Sequence, residues 1–125
     1  MKTIPCVDEI LVRGLDDWIQ AAEVAYVSRL CGKVKTLDDT RNLSIDVIGE
    51  LLKRHLVEIG DVSDDGFKAW DISEVSAVEK VEASWRNLTR GPELGELFWL
   101  NLTESGQRLA TQIWEQRKEM ESRAK

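Results

Sequence analysis

The chain has 125 residues, with 17 Lys and Arg against 23 Asp and Glu, giving a net charge of −6 and a pI of about 4.9. With 42% hydrophobic and 32% charged residues it fits one globular domain over 1–125, able to bury about two-thirds of its unfolded surface. No segment approaches the roughly 20 apolar residues of a membrane helix, and Met1 to Cys6 lack the apolar run of a secretory signal, so cytoplasmic residence is the expectation.

Val7-Asp-Glu-Ile-Leu-Val12 is ambiguous between a short strand and an added helical turn. Leu15-Asp16-Asp17-Trp18 then offers an apolar staple and an acidic cap. Ile19, Ala22, Tyr26 and Leu30 continue one helix face, and Gly32 is a natural terminator. The two cysteines, Cys6 and Cys31, lack metal-like spacing. They can pair if the fold brings them together, but reduced core thiols are the expectation for a cytoplasmic protein.

Thr36 and Asp39 offer a cap for the next helix. Leu37, Thr40, Leu43, Val47, Ile48, Leu51, Leu52 and Leu56 recur in steps of three and four. That spacing makes one helix, or two broken near Asn42 and Ser44 with Ser44 as the second cap. Val57 and Ile59 then alternate as a strand that ends at Gly60 and Asp61. Downstream, Asp71 with Glu74 has capping-box spacing, with Ser73 as the alternative cap. Val75, Val78, Val81, Trp85 and Leu88 follow at helical intervals until Gly91-Pro92.

Phe98, Leu100 and Leu102 alternate with Trp99 and Asn101, the two-residue period of a strand with one buried face. Thr103 or Ser105 can cap a last helix carrying Leu109, Ile113 and Trp114. Residues 116–125 form a charged tail expected to fray as a solvated helix end.

A strand leading through Leu102-Thr103-x-x-Gly106 into a last helix resembles the end of winged-helix domains, where the wing hairpin returns to the core. Leu56-Val57-Glu58-Ile59-Gly60 resembles the exit into the first wing strand. The resemblance implies a mostly helical α+β domain with a small antiparallel sheet. The long interval from Val62 to Leu97 departs from a simple wing and implies a helical insertion between the wing strands.

His55 is the single histidine, which excludes a two-histidine metal site. No phosphate-cradling glycine loop, nucleophile elbow or paired-cysteine motif is present, so no enzyme, cofactor or metal is expected. Winged-helix likeness implies DNA binding, for which Lys53 and Arg54 at the far end of a recognition helix from Ser44 to His55 are the candidates, with Arg41 and Asn42 just before it. Asp46, Glu50 and the acidic balance oppose it.

An acidic chain of this size also resembles bacterial toxin-immunity proteins, which implies a non-enzymatic module that neutralises a basic toxin. Asp64, Asp65, Phe67, Trp70, Glu79 and Glu82 are then the candidate partner-binding residues. A third expectation is a homodimer through the last helix, along Leu109, Ile113, Trp114 and Met120.

Overall fold

A computed structural model describes residues 4–124. Helix α1 (Val7–Arg13) precedes a short strand β1 (Ile19–Gln20), then α2 (Ala21–Gly32) and α3 (Leu37–Lys53). A hairpin of β2 (Val57–Ser63) and β3 (Gly66–Ala69) leads to α4 (Glu74–Arg86), β4 (Trp99–Leu102) and α5 (Glu104–Ala124). The class is α+β, with an antiparallel sheet in the order β1-β4-β2-β3.

Val7, Ile10 and Leu11 fall on one helical face and bury together, which decides the ambiguous start in favour of α1. The next element differs from expectation. Ile19 and Gln20 do not open a helix; they pair with Leu100 and Trp99. Asp17 caps nothing downstream, because its carboxylate turns back to accept the Trp18 N–H at 2.7 Å. Helix α2 therefore begins at Ala21, and its buried face is Ala21, Val24, Ala25, Val27 and Ser28, not Tyr26 and Leu30. Small side chains admit α3 closely here, and the buried Ser44 hydroxyl donates to Ser28 Oγ at 3.1 Å.

That bond also explains why α3 is unbroken. Ser44 faces the core in mid-helix instead of capping a second segment. The cap is Thr36, whose hydroxyl accepts the Asp39 N–H at 3.0 Å.

Strand β2 runs past Gly60 to Ser63 and turns back through Asp64-Asp65. Gly66, with φ of 101°, takes a backbone conformation that side chains disfavour. Between β2 and β4, which pair from Val57↔Leu102 to Gly60↔Trp99, lie both the extra strand β3 and helix α4. Ser73 caps α4, accepting the Ser76 N–H at 3.1 Å. Ala77, Val81 and Trp85 bury along its inner face, and Trp85 tilts against Phe98 with centroids 6.4 Å apart.

The expectation of reduced thiols is overturned: Cys6 and Cys31 are joined in a disulfide, with Cα atoms 5.7 Å apart. The start of α1 and the end of α2 meet there, which no local signal in either segment encodes. The charged tail also stays helical through Ala124, with Arg117 pairing Glu9 of α1 at 2.9 Å. Phe98, Ile10, Leu11, Ile48, Leu51 and Leu100 lie in one hydrophobic cluster that ties the helices to the sheet. Among the described residues no helix is long and apolar enough to cross a membrane.

Candidate partner-binding surface

The hairpin tip presents two adjacent exposed carboxylates. Asp64 and Asp65 form its two-residue turn, and Ser63 Oγ accepts the Asp65 N–H at 3.3 Å. Phe67, one step into β3, is half-buried against Trp18, with ring centroids 6.3 Å apart. This contact was not legible in the sequence, because 48 positions separate the two residues. It brings the segment Asp16-Asp17-Trp18 beside the tip. Trp18 remains 36% exposed. Among the described residues, Asp16, Asp17, Asp64 and Asp65 enter no ion pair. The surface thus joins an aromatic pair to two segments with exposed carboxylates outside any ion pair, Asp16-Asp17 before Trp18 and Asp64-Asp65 at the turn, with Lys68 as a lone cation on β3.

Trp70 lies at the other end of the hairpin, about 13 Å from the tip by strand rise. Its backbone N–H extends the ladder by donating to the Ile59 carbonyl at 2.9 Å. Its indole N–H donates to Asp61 Oδ2 at 3.0 Å, and the Lys80 ammonium covers its ring at 3.9 Å. Glu79 and Glu82 lie on α4, apart from the Trp70 contacts. Glu82 accepts from Arg86 at 2.6 Å, while Glu79 borders a shallow groove between α3 and α4 with Gly49, Lys53 and Val75. The structure therefore divides the six candidates: Asp64, Asp65 and Phe67 at the tip, Trp70 beside α4, and Glu79 and Glu82 on it.

The four candidates for DNA contact do not share a face. Arg41 leans into a cleft near the start of α3 and pairs Asp38 at 3.2 Å, with the exposed Asn42 beside it. Lys53 lies about 18 Å further along the helix by its rise per residue. It borders the α3–α4 groove opposite Glu74 and Glu79. Arg54 follows the helix end, and His55 Nδ1 lies 3.0 Å from Glu74 Oε1.

On α5, Leu109 and Ile113 pack against the core, which leaves Trp114 46% and Met120 71% exposed. Of the five tryptophans, Trp18 and Trp114 are the exposed ones; Trp85 is buried.

No family model matches the chain, and neither a curated protein nor a solved structure matches it.

Proposed function

We propose that this chain is a non-enzymatic protein-binding module that receives a basic partner on the hairpin tip, and in its sharpest form an immunity protein that neutralises a basic bacterial toxin. The observation that carries the proposal is the Trp18–Phe67 pair, which brings together two segments that carry the exposed Asp16-Asp17 and Asp64-Asp65. Aromatic anchors supply contact area at little entropic cost, and the surrounding carboxylates steer a cationic partner into register. The base of the hairpin is anchored where residues 57–60 of β2 pair with β4, and the tip beyond it is held by the β2–β3 ladder, which fixes the backbone that carries the carboxylates.

The frame α1-β1-α2-α3 followed by sheet neighbours β1-β4-β2 supports the winged-helix likeness. Its usual use on DNA is the weaker alternative. Helix α4 packs alongside α3, Arg41 is engaged by Asp38, and Asp46 and Glu50 lie between Arg41 and Lys53. A recognition helix in the major groove would carry those carboxylates toward phosphates. Cytoplasmic residence belongs to the immunity proposal, and there the Cys6–Cys31 bond would face a reducing pool.

The test is recovery of the tagged protein from its native cells at low salt, with and without nuclease. A stoichiometric basic protein retained after nuclease supports the proposal. Nucleic acid lost on nuclease treatment, with no protein partner, overturns it in favour of a DNA-binding regulator.

A further inference from the structure

The acidic chain carries a basic cleft. It lies between α2, the first turns of α3 and the segment that follows α4, with a volume of about 420 Å³. That volume falls within the roughly 300–1,000 Å³ of small-molecule sites. Arg29, Arg41 and Arg90 line it, against the single carboxylate Asp38; Tyr26, Leu37 and Leu88 supply apolar surface.

The three guanidinium groups are not equivalent. Arg90 is committed to Glu96, donating to both carboxylate oxygens at 2.7 and 3.1 Å. Arg29 donates through Nε to Thr40 Oγ1 at 3.3 Å and, among the described residues, meets no carboxylate. Arg41 donates to Asp38 at 3.2 Å and only distantly to Asn42 at 3.4 Å, while its Nε is buried with no partner among the described residues. Its side chain keeps 19% of its exposure, against 78% for Asp38. Arg41 thus has a solvent-facing counter-ion and Arg29, among the described residues, has none, and a planar carboxylate can meet two guanidinium nitrogens together.

We propose that the cleft binds a small organic monocarboxylate with an apolar body. The ligand's carboxylate displaces Asp38 from Arg41 and reaches Arg29, and its body lies on Leu37 and Leu88. A single negative charge fits the site better than a polyanion, because Asp38 stays adjacent and Glu93 and Glu96 already hold Arg90. The proposal is independent of the hairpin surface, which lies on other elements.

Two-dimensional amide NMR with phenylpropionate and hexanoate as probes tests this. The expected result is saturable shifts at Thr40, Arg41 and Leu88, with Kd at or below about 1 mM, a modest binding free energy. Phenylpropanamide, which lacks the charge, should bind at least about tenfold more weakly, as should either carboxylate to Arg29→Gln. Asp38→Asn should tighten carboxylate binding, a gain that a loss of folding cannot mimic. Arg29 is exposed, so its variant keeps the test valid even if Arg41→Gln unfolds. The proposal is overturned if neither carboxylate gives saturable shifts, if the shifts lie elsewhere, if the amide binds as well as the acid, or if phenyl phosphate is preferred to both.

Discussion

Gly106 of α5 rests directly against the backbone of Leu56, so that a Cβ at position 106 would run into the Leu56 carbonyl oxygen. The same carbonyl accepts the Thr103 N–H at 3.0 Å. Thr103 Oγ1 donates to the His55 carbonyl at 2.7 Å and accepts the Gly106 N–H at 3.0 Å. The Leu-Thr-x-x-Gly sequence is thus a clamp: its threonine caps α5, and its glycine lets that helix lie on the α3–β2 junction.

Gly106→Ala should destabilise the fold by about 1–3 kcal/mol, because forced overpacking against backbone outweighs the better helix propensity of alanine. Gly49→Ala should have the opposite sign. Nothing lies within 4 Å of a Cβ there, so alanine in mid-α3 should stabilise by about 0.5–1 kcal/mol. Urea unfolding of the two variants measures both; a Gly106→Ala variant at least as stable as the parent would contradict the clamp.

Thr103→Ala deletes the cap and the bond to the His55 carbonyl together, and should cost about 1–2 kcal/mol. Thr103→Ser keeps the hydroxyl and should recover most of that loss. If serine and alanine are equally destabilising in thermal melts, the threonine acts through packing of its methyl group instead.

The helices were largely legible in the sequence because their signals are local. Thr36, Ser73 and Thr103 all cap where a side-chain oxygen precedes an apolar stripe. What escaped was set by distant partners. Ile19-Gln20 is a strand because Leu100 and Trp99 stand opposite, and Ser44 stays within a helix because Ser28 meets its hydroxyl. Strand β3 had a usable sign, since Asp65-Gly66 between Val62 and Phe67 is a hairpin turn signal. At the candidate surface Asp64, Asp65 and Phe67 follow from the sequence, whereas Asp16 and Asp17 read there only as a helix cap. Trp18 does not follow, because only the fold places it against Phe67.

The Cys6–Cys31 bond closes a loop across 25 positions of sequence. By loop-closure entropy it should contribute about 3 kcal/mol, felt mainly in the unfolded chain. Thiol titration of the oxidised, unfolded protein should find no free cysteine, and urea unfolding after reduction should shift to lower concentration. Two free thiols in protein purified under oxidising conditions would contradict the pairing.

Glu96 gives the connection before β4 a pH dependence. The Arg90 guanidinium and then the Glu93 N–H hold its carboxyl well below the ordinary 4.5, down to about 2. A depressed folded value means that its contribution is fully present above about 4.5 and is lost as pH falls toward 2. The group is exposed, so the effect on global stability should be small. NMR titration of its side-chain carboxyl should show the low midpoint, and Arg90→Gln should return it toward the ordinary value. An ordinary midpoint in the unmodified protein would mean that the pair does not persist in solution.

The most direct measurement of the central claim is quantitative recovery of the partner by the unmodified protein and by Asp64→Lys/Asp65→Lys, at low and at raised salt. Both substituted positions are exposed in a turn, so the variant should fold normally by circular dichroism. A basic protein should be retained by the unmodified chain, retention should weaken with salt, and the charge-reversed chain should lose it. A partner held equally well by both chains would contradict the hairpin surface, whatever that partner proves to be.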